Sequence, residues 1–253
     1  MKKILQELKS RNATLYYFGM INLIAALICL VLSQVTTTEV LGINAYIKPT
    51  KFFVSGTIFA WTIAWVMSYL PSQKTVKPYS WFLVLVFTFE EVYILYKASI
   101  GRLSHFDIST PMNGMLFGLM GIVISILTLW TLYIGVLFFV RNFPSLSKPY
   151  LWGIRLGILL FVVFAFEGLL MGSMLSHTVG AVDGGEGLPI TNWSKNNGDL
   201  RIAHFFGMHA LQIVPFFGYY VAQKTWQTLV FAMMYLAWVS WTLWQALQGL
   251  PLF

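Results

Sequence analysis

Seven stretches long and apolar enough to cross a bilayer take up most of this chain: residues 14–33, 52–70, 80–99, 114–140, 151–175, 203–222 and 226–247. A helix needs about 20 mostly apolar residues to span the hydrocarbon layer. Within that layer only helices and closed barrels satisfy their own backbone hydrogen bonds. The spacing predicts an all-α polytopic membrane protein: one transmembrane domain over residues 1–253, a seven-transmembrane-helix bundle with its longest break at 176–202. Composition agrees. Hydrophobic residues make up 58% of the chain and charged residues 10%, against about 25% charged in a soluble domain, so polar groups are too few to cover a water-soluble surface. The net charge of +7 does not indicate nucleic acid, because the basic residues gather at span ends, where they report topology. Cys29 is the single cysteine, so no internal disulfide can form.

The first 33 residues, basic and then apolar, mimic a secretory signal. "QVTTTEV" follows them, with no small-x-small cleavage site, so a retained first span is expected. The Lys and Arg residues set the orientation. With the N-terminus inside, Lys2, Lys3, Lys9, Arg11, Lys74, Lys77, Arg141, Lys148, Arg155 and Lys224 face inward. Lys48, Lys51, Lys97, Arg102, Lys195 and Arg201 face outward. That excess inside is the expected bias, and it puts the C-terminus outside. Tyr16, Tyr17, Tyr79, Trp81, Tyr150, Trp152, Tyr219, Tyr220 and Trp226 then form an inner aromatic belt. Glycines four apart (Gly114 and Gly118, Gly153 and Gly157, Gly168 and Gly172) are expected to let helices approach closely. A short echo, "RLSHF" at 102–106 and "RIAHF" at 201–205, precedes two spans that run in the same direction.

Polar side chains concentrate toward the outer side. His105 lies in the loop after the third span, His177 ends the fifth, and His204 opens the sixth, with His209 more than a turn deeper. His204 and His209 diverge by about 140° around a helix, so they do not form the same-face pair of an HExxH zinc helix. His204 is expected at the rim with His177 and His105, holding a divalent metal or haem. His209 lies within about 60° of Gln212 and is expected deeper, near Glu167. Asp199 is a plausible N-cap for the sixth span. Glu90, Glu91 and Glu167 fall within spans, where a charge costs a few kcal/mol or more and needs a partner. Glu90 and Lys97, seven apart, share a helix face. Pro215 frees a carbonyl in the sixth span.

"SHF" at 104–106, "HTVGAVDGGEGLP" at 177–189 and "GDLRIAHFFGMHALQ" at 198–212 resemble a group of bacterial seven-helix membrane proteins with no assigned activity. The resemblance implies a bacterial inner-membrane, multi-pass location and carries no catalytic role.

The residues lead to two function classes. The first is a membrane enzyme or redox protein with an outward-facing polar site: His105, His177 and His204 as metal or haem ligands, Glu167, Glu91 and His209 for acid–base chemistry, and a small-molecule substrate from the outer side. The second is a proton-coupled transporter using the same carboxylates without a metal. A structural or signalling subunit is the remaining alternative. No lysine sits mid-span in the seventh helix, which argues against a retinal protein. Neither Gly-x-Ser-x-Gly nor Cys-x-x-Cys occurs.

Overall fold

The structure is a computed structural model that describes residues 2–252, with side chains from residue 3 onward. Lys2, used above for topology, therefore has no described side chain. Among the described residues the chain forms eight helices: α1 Lys2–Arg11, α2 Ala13–Val35, α3 Ile47–Met67, α4 Gln73–Ser99, α5 Pro111–Val140, α6 Lys148–Met174, α7 Leu200–Tyr220 and α8 Thr225–Leu247. Two two-residue hairpins accompany them, β1 Glu39–Val40 with β2 Ile43–Asn44, and β3 Thr178–Val179 with β4 Gly198–Asp199. Five helices are long and apolar enough to cross a membrane: α2, α3, α5, α6 and α8. The protein is thus a multi-pass helical membrane protein. α4 and α7 fall short because they carry the polar load, Glu90, Glu91 and Lys97 in one and His204, His209 and Gln212 in the other. The outward faces are apolar, with Ile21, Ile24 and Val31 on α2, Ile122 and Leu129 on α5, and Met233 and Met234 on α8 all exposed. Water would not tolerate such stripes, and lipid does.

The chain separates into two compact units, residues 1–127 and 128–253, with the boundary inside α5. In the first unit, α1 was not foreseen as a separate element. Asn12 is extended (φ −156°) and its side-chain oxygen accepts the Leu15 N–H at 3.1 Å, so it ends α1 and caps α2. Leu41 and Gly42, both at positive φ, make the β1–β2 turn. Ala26, Cys29 and Phe53 form one core cluster, and Tyr93, Ile94 and Met120 another.

In the second unit α6 and α7 lie close together, as the glycine spacing anticipated. A Cβ at Gly153 would come within 2.8 Å of the Pro215 Cα, and one at Gly157 within 2.9 Å of the Ala210 carbonyl oxygen. α8 completes a core of Leu160, Phe164, Ala203, Ala210, Val214 and Tyr235. Gly114 and Gly118 behave differently. Their faces meet no close backbone, so that pair is not a helix contact of the same kind. Tyr79 and Tyr150 are buried and leave the aromatic belt, whereas Tyr17, Trp81, Tyr219, Tyr220 and Trp226 are exposed. The "RLSHF" echo has no structural counterpart: residues 102–106 are irregular loop, and 201–205 are helix.

Candidate functional site

Each polar centre lies within one unit. In the second unit α7 begins where the sequence placed its cap. Asp199 is extended (φ −133°), and its carboxylate accepts the Arg201 N–H at 3.1 Å. The same carboxylate holds the Arg201 guanidinium through two contacts, at 2.9 and 2.6 Å, and the Ser194 N–H at 2.8 Å. The Arg201 side chain also donates to the Asn192 carbonyl oxygen at 2.5 Å. Asp199 thereby starts the helix and ties down the loop before it. His177 stands beside this knot. Its Nδ1 is 3.3 Å from Asp183 Oδ1 and 4.0 Å from Asp199 Oδ1. Asp183 in turn accepts from the Ser176 hydroxyl and the Thr178 N–H. Burial alone would raise the Asp183 pKa, but the His177 charge and the Thr178 and Ser176 donors outweigh it and hold the carboxyl below its ordinary value. His177, Asn192, Ser194, Asn197 and Arg201 line a small polar cleft of about 20 Å³, the room of a single water and far from the size of a haem.

One turn into α7, His204 faces α6. Its Nδ1 lies 2.7 Å from the Phe164 carbonyl oxygen and 3.1 Å from Glu167 Oε2. A carbonyl only accepts, so Nδ1 carries a proton that points at Phe164. The proximity to Glu167 is one of charge rather than a formed hydrogen bond, and both Glu167 oxygens are buried without a hydrogen-bond partner. The Glu167 side chain is only 6% exposed. Gly168 makes the arrangement fit, since a Cβ there would sit 2.9 Å from the imidazole Cε1.

This differs from the expected grouping. Glu167 meets His204 rather than His209. His209 instead bonds Gln212 at 3.1 Å, as its angular position predicted, and its ring lies edge-on to Phe205 at 4.4 Å. His105, in the first unit, has Ser104 Oγ at 3.1 Å and Lys48 Nζ at 3.4 Å from its Nδ1, and its ring lies among Phe52, Phe106 and Phe117. Among the described residues no group of three or more His, Cys, Asp or Glu side chains is placed to hold a metal ion. The metal-ion reading of His105, His177 and His204 thus finds no such ligand set among the described residues. The acidic side chains near these histidines come singly or already engaged: Glu167 alone beside His204, and Asp183 and Asp199 beside His177 held by Ser176, Thr178 and Arg201.

The first unit holds two further buried centres. Glu91 accepts from the Asn22 amide at 2.9 Å, against a face that Gly56 leaves open. Lys97 reaches not Glu90 but Asp107 at 2.7 Å and Asn113 at 3.0 Å, with the Tyr93 ring 5.7 Å away. Sequence reasoning missed Asn22 and Asp107. Asn22 had a signal, being a lone amide in an apolar run that needs a partner in lipid. Asp107 had none, because a loop residue has no periodicity to place it.

No protein-family model, curated protein or solved structure matches the chain. The class, a multi-pass helical membrane protein, therefore rests on the chain's own physics.

Proposed function

We propose that this protein is a proton-coupled carrier of a small polar solute, and that Glu167 and His204 are its proton-exchanging pair. The observation that carries the reading is the Glu167 carboxyl, buried between α6 and α7, without a hydrogen bond and 3.1 Å from an imidazole. A carboxylate left unsatisfied at such a position costs several kcal/mol, as a rule, unless it is protonated or faces a cation. Two arrangements relieve the cost: carboxylic acid beside neutral imidazole, or carboxylate beside imidazolium. A proton moving between the pair and water switches the charge of the α6–α7 interface, and that is what a coupled carrier requires. Glu91, held by Asn22, is a second intramembrane acid on the same reading, and His209 with Gln212 a polar step further along α7.

The reading includes seven spans, α2 to α8, with the N-terminus inside, the C-terminus outside and the 176–202 loop facing outward. Its supports are the Lys and Arg asymmetry and the length of α4 and α7. Membership of the bacterial seven-helix group, in the inner membrane, belongs to the same proposal. Sealed vesicles carrying the purified protein, an internal pH-sensitive dye and an imposed potassium diffusion potential provide the test. Small amines, carboxylates and sugars added outside should include one that accelerates proton uptake in the wild type and not in Glu167→Gln. Equal proton flux in the two proteins with every solute would sink the proposal.

The loop cleft supports a second reading, an acid–base membrane enzyme using His177 and Asp183. Product formed from a solute by protein in open detergent micelles, where no gradient exists, would favour it over the carrier.

A further inference from the structure

α1 has no part in the carrier reading. On a helical wheel Ile4, Leu8 and Arg11 share one face, Lys9 and Ser10 lie away from it, and Lys3 stands on its flank. Leu8 is buried against the protein, but Ile4, one turn earlier on the same face, is 62% exposed. The apolar stripe therefore runs on past the protein surface. Arg11 fixes the helix in place. Its guanidinium donates to Ser68 Oγ at 2.7 Å, lies over the Trp65 and Tyr69 rings, and pairs with Glu7 at 2.8 Å. Asn12, next in the chain, donates to Ser80 of α4 at 2.9 Å, and Gln73 bonds the Leu70 carbonyl. These bonds bring α1, the C-terminal end of α3 and the N-terminal turns of α4 to one end of the first unit. Lys3, Lys9, Lys74 and Lys77 are all exposed there. Glu7, spent on Arg11, is the sole acidic residue in the first 38. The exposed aromatics Tyr17 and Trp81 stand at the same end.

An amphipathic helix with lysines away from its apolar face, an apolar residue of that face, Ile4, left exposed past the protein, and aromatics beside it has the makeup of an interfacial helix. We propose that this end of the first unit is a binding surface for anionic phospholipid headgroups, with α1 seated in the membrane interface, Ile4 toward the acyl chains and the four lysines toward the phosphates. The charge complementarity is one-sided enough to favour anionic over zwitterionic lipid. Each lysine near such a surface contributes up to about fivefold in preference.

The full chain, in a Cys29→Ser background with a donor fluorophore on Ile4→Cys, would be placed in nanodiscs with trace headgroup-labelled acceptor lipid. Energy transfer to phosphatidylglycerol should exceed transfer to phosphatidylcholine several-fold, and the excess should collapse at high salt. Replacing Lys3, Lys9, Lys74 and Lys77 by Gln should abolish the excess, and replacing them by Arg should keep it. All four are exposed, so elution as a single species would show that the variants fold. Equal transfer to both lipids, an excess that survives in the Gln variant, or loss of the excess in the Arg variant would each overturn the proposal.

Discussion

Two ionisable pairs, one in each unit, each set a buried carboxyl against a nitrogen base and have opposite states of satisfaction. Lys97 and Asp107 lie 2.7 Å apart with side chains 3% and 9% exposed, and each has further partners: Asn113 for the ammonium, the Ser109 N–H and hydroxyl for the carboxylate. Glu167 and His204 lie 3.1 Å apart, and the imidazole proton is committed to a backbone carbonyl, which leaves the carboxyl without a hydrogen bond. A closed network fixes one geometry and has nothing to gain by moving. An open one keeps a group whose most favourable state depends on a proton. The difference separates a pair whose partners are all supplied from a pair that leaves one carboxyl open, which is the pair the carrier proposal uses.

The largest expected effect comes from breaking the closed pair. Lys97→Ala leaves the Asp107 carboxylate buried with only its Ser109 donors and should destabilise the protein by about 3–5 kcal/mol, seen as a lower unfolding midpoint in detergent. Lys97→Met with Asp107→Leu, which removes both charges, should recover most of that loss. A single variant as stable as the wild type would mean that the network is not what holds the loop to α4.

Acid probes the same pair more gently. The Lys97 ammonium and the Ser109 donors hold the Asp107 carboxyl far below the ordinary carboxylate range. A carboxyl depressed in the folded state contributes its full stabilisation above the unfolded pKa of about 3.9 and loses it as the pH falls toward the folded value. Thermal midpoints should be flat from neutral pH down to about 5 and fall steeply below about 4. The steep part should be shallower in Asp107→Asn. A midpoint that rises on acidification would carry the wrong sign for this account.

The open pair should show the reverse balance. Glu167→Gln removes a carboxyl that forms no hydrogen bond, so its unfolding free energy should move by only about 1 kcal/mol in either direction. On the carrier proposal its proton flux should be lost, whereas Glu39→Gln, in an exposed hairpin, should lose neither flux nor stability. If Glu167→Gln proves as damaging to stability as Lys97→Ala, the carboxyl is a structural strut and the contrast between the two pairs fails.

What the sequence disclosed follows the same line. Local rules carried well: apolar length predicted the helices, Asp199 capped α7, the His209–Gln212 angle gave a bond, and the Gly153–Gly157 spacing gave a close helix contact with α7. Charge cost also carried well, since Glu91 and Glu167 proved to be buried as lipid demands. Partner identity was not legible. Lys97 was placed on the face of Glu90 by periodicity, with no partner named, and found Asp107 in an irregular loop, and Glu167 was matched to His209 by depth and found His204. Depth and helix face narrow the candidates, but a rotation of one helix about its axis decides among them, and no single-sequence pattern encodes that rotation. α1 escaped notice because one extended residue, Asn12, divides what hydropathy reads as a single basic lead-in to a span.

The smallest effect is expected where the distance alone would suggest the largest. Lys195 and Glu186 are 2.7 Å apart, the same separation as Lys97 and Asp107, and the Lys195 ammonium lowers the Glu186 pKa. Their side chains, however, are 40% and 67% exposed. Water solvates both charges when the pair parts, salt screens them when it forms, and two long side chains lose freedom to make the contact. Lys195→Ala should leave the unfolding midpoint and the hydrogen-exchange protection of β3 and β4 unchanged, at low and at physiological salt alike. Those strands are held instead by the Asp199 and Asp183 networks, which this bridge does not touch. Loss of protection at Thr178 or Asp199 in Lys195→Ala would mean that the exposed bridge clamps the loop. Burial would then no longer be the property that separates a working ion pair from an idle one in this molecule.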